Sequence, residues 1–195
     1  ASKIPPKNFQ WPARPEYTFE ESYPTSHIVE YTNKTLKNLG LEQLDLMQFH
    51  TWDDGWSDRE EWQRAIEDLK SSGKIVAMGI SVNRWEPENG IKAIETGLID
   101  AVQVIYNIFD QAPVDVLFPL CEKLDIAVIA RVPFDEGTLT GSITEATTFP
   151  EGDWRGTYFV PENLIPSAKR ANELRPLIPD GMTMAEMALR FITMN

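Results

Sequence analysis

Six polar or charged residues stand where apolar runs of this sequence stop. Lys3 follows Ala1-Ser2, and His50 follows Leu44-Asp45-Leu46-Met47-Gln48-Phe49. Ser81 and then Asn83 come after Ile75-Val76-Ala77-Met78-Gly79-Ile80, Gln103 lies within 101–106, and Arg131 closes the run 126–131. A polar side chain at the end of a buried strand needs partners, because leaving it unpaired costs about 1–3 kcal/mol. Scattered, each of the six only finishes a strand in solvent. Gathered at one rim, an ammonium, an imidazole, a hydroxyl, two amides and a guanidinium could bind and polarise a small polar ligand. Alternate residues of a strand share a face, so Gln48 pairs with His50, Met47 with Phe49, and Ser81 with Asn83.

The elements around these residues set which case holds. The runs at 44–50, 74–82, 101–106 and 126–131 are short and almost continuously apolar, as strands covered on both faces are. Ala1-Ser2-Lys3-Ile4 reads as the tail of another strand, ended by Pro5-Pro6. Helices are predicted between them. One runs from Thr25 or Ser26 to a left-handed stop at Gly40. A second starts at a capping box, Ser57 with Glu60, carries Trp62, Ala65, Ile66 and Leu69 on one face, and stops at Gly73. A third has Pro87 in its first turn and ends near Gly97, and a fourth runs from Pro113 through Cys121. After a loop-rich stretch at 132–180 with a helix near 162–175, a second capping box, Thr183 with Glu186, opens a last helix. Residues 5–24, rich in proline and aromatics, read as a long loop, and Trp11 and Trp52 are expected in loops at the mouth.

Strand alternating with helix predicts a parallel sheet with helices outside. A doubly wound sheet would want a glycine-rich phosphate loop after its first strand, and no G-x-G-x-x-G occurs. The expected fold class is therefore α/β, a parallel (β/α)8 TIM barrel, as a single domain over 1–195. Since the active site of such a barrel collects at the carboxyl ends of the strands, the six residues fall where chemistry would be. Ala1-Ser2-Lys3 lacks a methionine and Asn195 interrupts a helical pattern, so the barrel is expected to be incomplete at both ends.

Composition narrows the partners. A net charge of −12 and a pI near 4.6 argue against nucleic acid, which calls for a basic footprint. No apolar run spans a bilayer and no signal peptide is present, and a single cysteine, Cys121, suits a reducing compartment. A cytoplasmic location is expected; oligomeric state is not legible. Two histidines and one cysteine, far apart, offer no metal-ligand spacing. Asp53-Asp54 and Glu60-Glu61 read as solvated charges and His27 as a surface residue.

Several motifs, in order, resemble the aldo-keto reductase family, particularly its bacterial members. They are Thr35-Leu36-Lys37-Asn38-Leu39-Gly40 followed by Leu44-Asp45-Leu46 and His50; Gly73-Lys74-Ile75 followed by Gly79-Ile80-Ser81; Asp100-Ala101-Val102-Gln103 followed by Tyr106-Asn107; and Pro133-Phe134 followed by Gly137-Thr138-Leu139-Thr140-Gly141. The resemblance implies an eight-stranded barrel that reduces aldehydes and ketones with NADPH. It matches Lys3 and His50 to the lysine and histidine of the family's catalytic tetrad, whose aspartate and tyrosine would lie upstream of Ala1. The lysine favours the tyrosine's phenolate, lowering its pKa, and the histidine orients the carbonyl. Ser81, Asn83 and Gln103 match nicotinamide-carboxamide ligands, although Val82 separates a serine and asparagine that the family keeps adjacent.

Arg131 stands where an aromatic commonly stacks on the nicotinamide. Its guanidinium either stacks there, favouring the neutral reduced ring, or pairs with Asp135 or Glu136. Pro133, Phe134 and Gly137 match the pyrophosphate loop, where those two carboxylates repel phosphate unless they point away or meet a cation. Trp11 and Trp52 would line the substrate pocket. The loop gripping the adenosine 2′-phosphate would follow Asn195, so the segment alone is expected to be inactive. A regulatory barrel that binds NADPH without turnover is the alternative.

Overall fold

In a computed structural model describing residues 1–194, five strands form one sheet in the order β1-β2-β3-β4-β5: Ser2–Ile4, Leu44–Phe49, Ile75–Ser81, Ala101–Ile105 and Ala127–Arg131. Each of the first three lies parallel to the next, and β5 is the hydrogen-bonded neighbour of β4. Helices α2 (Thr25–Leu39), α3 (Glu60–Ser71), α4 (Ile91–Glu95) and α5 (Leu117–Leu124) fill the successive crossovers. Chain order and sheet order coincide, so the sheet has no point at which the order reverses. That reversal defines a doubly wound sheet; its absence is the pattern of a (β/α) barrel.

The chain divides into two compact units. The first comprises Ala1–Ile105 with Ala112–Ile129, and the second Tyr106–Gln111 with the residues from Ala130 onward. In the first, Ile4, Phe49, Ile80 and Val102 form one parallel row, and each has no exposed surface. Behind that row pack Ile28 of α2 and Trp62, Ile66 and Leu69 of α3. Aromatic rings dominate this core: Trp52 lies 5.5 Å from Phe49 and 5.3 Å from Trp62, centroid to centroid. The second unit holds α6 (Trp154–Tyr158), α7 (Pro161–Glu173) and α8 (Met184–Thr193), with a small apolar cluster of Ile143, Phe159 and Leu164.

Several helix starts differ from expectation for identifiable reasons. Gly40 does stop α2 in the left-handed conformation, with φ 66°, and Thr183 with Glu186 does form a reciprocal capping box on α8. The box expected at Ser57 does not form. Ser57 donates to Asp54 and follows a 3-10 turn at Asp54–Trp56, α3 begins at Glu60, and Glu60 pairs with Arg64. Pro87 falls in a turn ahead of α4, which starts at Ile91 and has its first N–H groups capped from outside. Asp54 accepts from Lys92 N at 2.9 Å and Ala93 N at 3.3 Å, and also from Trp52 Nε1 at 2.9 Å. The helix expected from Pro113 is broken into a 3-10 turn at Ala112–Val114 and α5. A short helix, α1 (Phe19–Ser22), with its own Thr18–Glu21 capping box interrupts the long loop at 5–24.

Two expected surface assignments are corrected by the same contacts. Asp53 is buried and accepts from Gly55 N, and Asp54 is half-buried at the hub just described. His27 is half-buried within α2, with Nε2 2.8 Å from the carbonyl oxygen of Pro5. Among the described residues no helix is long and apolar enough to cross a membrane, and no group of three or more His, Cys, Asp or Glu could hold a metal ion.

Candidate active site

Parallel register places the first unit's polar residues on one face of the sheet. Lys3 is level with Gln48, Gln48 with Gly79, and Gly79 with Ala101. Two residues further along, on the same face, Ser81 is level with Gln103. His50 continues Gln48's face at the end of β2, and its N–H donates to Ile4 O at 3.0 Å. Lys3, His50, Ser81 and Gln103 therefore occupy one face within two successive rungs, at the strands' carboxyl ends. The opposite face of the same strands is the row Ile4, Phe49, Ile80 and Val102. One face is committed to the dry core, leaving the other for polar groups.

The lower rung is packed tightly by a glycine. A Cβ on Gly79 would lie 2.9 Å from Ala101 O and 3.0 Å from Gln48 Cγ, so the Gln48 side chain lies across the space that the glycine leaves. Gln48 is itself buried, and its Oε1 has no hydrogen-bond partner among the described residues. Above it, His50 is half-buried and the indole of Trp11 meets it edge-on, with centroids 5.7 Å apart at 74°. Beside it, the hydroxyl of Tyr23 accepts from Thr51 N at 3.0 Å and bonds Thr51 Oγ1 at 3.0 Å, pinning the backbone after the histidine. Burial drives the Tyr23 phenol far above its ordinary pKa, so it stays protonated and structural.

Two sequence assignments change here. Trp52, expected at the mouth, has no exposed surface and is part of the aromatic core, with its indole N–H given to Asp54. Asn83, expected on the nicotinamide carboxamide, has its amide engaged elsewhere. Oδ1 accepts from Ala13 N at 3.2 Å, and Nδ2 donates to Ala13 O at 2.9 Å and to Glu86 Oε2 at 2.9 Å. Both amide hydrogens are used. Strand β3 ends at Ser81, so the face-sharing of Ser81 and Asn83 does not extend that far.

The second unit holds Arg131, the last residue of β5, and Pro133, Phe134 and Gly137 in the tight turn that follows. Val132, Asp135 and Glu136 adopt left-handed φ of 57°, 46° and 57°, and Gly137 reaches 111°. Such values are rare for non-glycine residues and rarest for β-branched Val, and they persist where neighbours hold them. Asn107 Nδ2 donates to Val132 O at 3.0 Å. Asp135 is buried, with Thr138 Oγ1 at 2.9 Å and Arg170 Nη2 at 2.9 Å from Oδ2, and that guanidinium lies 4.1 Å from the centroid of the Phe109 ring. The carboxylate has met a cation, removing one of the two charges expected to repel phosphate. Arg170 lies 35 residues away in a weak helical pattern, and no local signal points to it.

Comparison with known proteins agrees with this fold. The model of the aldo/keto reductase family matches residues 7–195. An aldo-keto reductase of Bacillus subtilis, YhdN, is 31% identical over 128 residues, covering 66% of this chain and 38% of the relative. The NADH-specific methylglyoxal reductase of Escherichia coli is 28% identical over 153 residues, covering 77% and 46%. A glycerol dehydrogenase structure from Gluconobacter oxydans superposes with a TM-score of 0.71 at 27% identity, covering 86% of this chain and 51% of that one. The chain thus spans about half the length of the curated relatives it matches. A parallel sheet in barrel order and a family model spanning nearly every residue agree, and the chain belongs to the aldo/keto reductase family.

Proposed function

We propose that this chain supplies part of the active site of an NADPH-dependent carbonyl reductase acting on small aldehydes or ketones. What carries the reading is the register that sets Lys3, His50, Ser81 and Gln103 on one face at the carboxyl ends of β1 to β4. When bound, the reduced nicotinamide supplies the hydride. Ser81 and Gln103, a hydroxyl and an amide side by side, suit the donors and acceptors of a carboxamide. Pro133, Phe134 and Gly137 would follow the pyrophosphate, and Asp135, neutralised by Arg170, does not oppose it.

Lys3 holds a positive charge that favours the deprotonated form of a neighbouring phenol. His50 donates a hydrogen bond to the carbonyl oxygen and stabilises the charge it develops. Trp11 stands edge-on beside His50 and would wall one side of the space next to it. Asn83 and Trp52 are left out of the site by the contacts described above. The preference for NADPH follows the family resemblance and an NADP(+)-named relative in Schizosaccharomyces pombe, 28% identical over 132 residues; the relative in Escherichia coli is named for NADH, so the test compares both.

In the complete gene product, NADPH oxidation with a small aldehyde is expected to fall about 10²–10⁴-fold in His50→Gln and Lys3→Met, the range of a lost acid–base group. Ser81→Ala with Gln103→Leu is expected to weaken NADPH binding and leave the aldehyde KM unchanged. The chain alone, lacking a matched tyrosine, is expected to show no turnover. NADPH binding without turnover in the complete product would replace this reading by a sensor barrel. Full turnover in His50→Gln would end it.

A further inference from the structure

Asn83 is joined to Ala13 by a pair of hydrogen bonds that resembles a β-bridge made by a side chain. Its Oδ1 accepts from Ala13 N at 3.2 Å while its Nδ2 donates to Ala13 O at 2.9 Å, across 70 residues of sequence. Both partners are buried, Asn83 at 7% and Ala13 at 5% exposure, although their neighbours Pro12, Arg14 and Trp85 are exposed. The remaining amide hydrogen goes to Glu86 Oε2, which also accepts from Asn89 Nδ2 at 3.3 Å, so the orientation of the amide is set from both ends. Asn89 in turn accepts from Asp54 N at 2.7 Å, tying this corner to the segment after β2.

Ala13 sits two residues beyond Trp11, whose ring meets His50 edge-on while leaving 46% of the residue exposed. A half-exposed indole has little apolar burial to hold it in place, since packing energy scales with the area removed from water. Its neighbour Phe9, 70% exposed at a centroid distance of 6.2 Å, adds little support. The buried anchor nearest in sequence is Ala13, which packs into the apolar core by its methyl group and is tied by its backbone to the Asn83 amide.

We propose that Asn83 is a positioning residue. By clamping Ala13 it holds Trp11 against His50, and so sets how large a carbonyl substituent fits beside the imidazole. The substrate half of this statement rests on the reductase reading above. The clamp itself does not.

The test therefore has two arms. In the first, proton NMR of the full chain follows the ring resonances of His50, one of two histidines, displaced by the ring current of Trp11. Asn83→Ala is expected to move the His50 signals in the same direction and by a similar amount as Trp11→Leu, while the His27 signals stay put. Asn83→Asp, made together with Glu86→Gln so that no second carboxylate opposes it, keeps the acceptor for Ala13 N and loses the donor to Ala13 O; it is expected to give an intermediate displacement, and it decides the matter where the alanine variant fails to fold. His50 resonances unmoved by either Asn83 variant, but moved by Trp11→Leu, would overturn the clamp.

In the second arm, kcat and KM of the complete gene product are measured for a small and a bulky aldehyde. Asn83→Ala and Trp11→Leu are both expected to lower the bulky-over-small KM ratio, with kcat for the small aldehyde falling less than in His50→Gln. Unchanged ratios with a moved His50 would overturn the specificity role and leave the clamp standing. Absence of any reductase activity in the unmodified protein, with the NMR result intact, would sink the reductase reading alone.

Discussion

In the first unit the strands are held by an apolar row and the aromatic core behind it, with polar ties such as Asp54 and Asn83 confined to the loops, and the polar groups of the candidate site ride on the other face of the strands. In the second unit the roles are exchanged. A buried carboxylate, Asp135, held by Arg170 and Thr138, steadies a turn whose backbone carries three left-handed non-glycine residues, and the apolar cluster is three residues. A strand end needs only the sheet to aim a side chain. A loop meant to follow a flexible, charged ligand portion needs its own polar scaffold, because it has no ladder of hydrogen bonds. Removing apolar volume should therefore hurt the first unit most, and removing charge the second.

The strongest way to break this contrast is in the aromatic core. Trp52→Ala removes a fully buried indole stacked on Phe49 and edge-on to Trp56 and Trp62. Large-to-small changes of this kind cost about 3–5 kcal/mol. Urea unfolding of the first unit, followed by amide hydrogen exchange, is expected to show a loss of that size. A loss below about 1 kcal/mol, the scale of an ordinary surface change, would mean that Trp52 does not belong to the core.

Next comes the second unit's ion pair. Arg170→Ala leaves the Asp135 carboxylate, 6% exposed at its side chain, with Thr138 as its remaining side-chain donor of those described above. A hydrogen bond to a charged group is worth about 1.5–3 kcal/mol, and because Arg170 is half-exposed, at 48%, screening puts the expected loss at the lower end. Hydrogen exchange should accelerate around 132–141. Arg170→Lys should not restore it, since the flat guanidinium also lies over Phe109. Equal protection in wild type and Arg170→Ala would remove the distinction between the units.

The same contrast explains what the sequence made legible. Strand positions, the alternation that puts Lys3, His50, Ser81 and Gln103 on one face, and the Gly40 stop all follow from local periodicity and a single residue's conformational freedom. Asn83 and Trp52 depart from the local reading because what holds them lies elsewhere: an amide spent on a backbone 70 residues earlier, and an indole packed among the rings of Phe49 and Trp62. Arg170 carries no local mark at all. Side chains that hold a loop by hydrogen bonds at long range leave no period in the sequence, whereas core residues must repeat.

Alkaline pH sharpens the contrast by a separate route. Burial raises the Cys121 thiol from its ordinary 9.0 to about 11 and pushes the Tyr23 phenol up as well. Both groups stay protonated in the folded chain at pH values where the unfolded chain releases them. The folded state then binds more protons, so stability is fully present below the unfolded values and falls as pH rises, for Cys121 between 9.0 and about 11. Each group contributes a slope of at most about 1.4 kcal/mol per pH unit. Both lie in the first unit, so its hydrogen exchange is expected to show the loss, and Cys121→Ala with Tyr23→Phe is expected to flatten it. An unchanged slope in that double variant would assign alkaline sensitivity to other groups.

The smallest effect separates a cap that forms from one that only reads like a cap. Thr183 and Ser57 each precede a glutamate by three residues, ahead of an apolar helical face. On α8 the box closes: Thr183 Oγ1 accepts from Glu186 N at 3.2 Å and Glu186 Oε2 accepts from Thr183 N at 2.7 Å. These bonds also hold the Glu186 carboxyl below its usual range. On α3 the serine hydroxyl is drawn away to Asp54 by the 3-10 turn before it, and Glu60 is exposed beside Arg64. Thr183→Ala is expected to cost about 1 kcal/mol, whereas Glu60→Ala is expected to change stability by less than about 0.5 kcal/mol. Equal costs in thermal unfolding would mean that Ser57 caps α3 in solution, and that the pull of Asp54 on the preceding turn is weaker than the drive to satisfy a helix's first N–H groups.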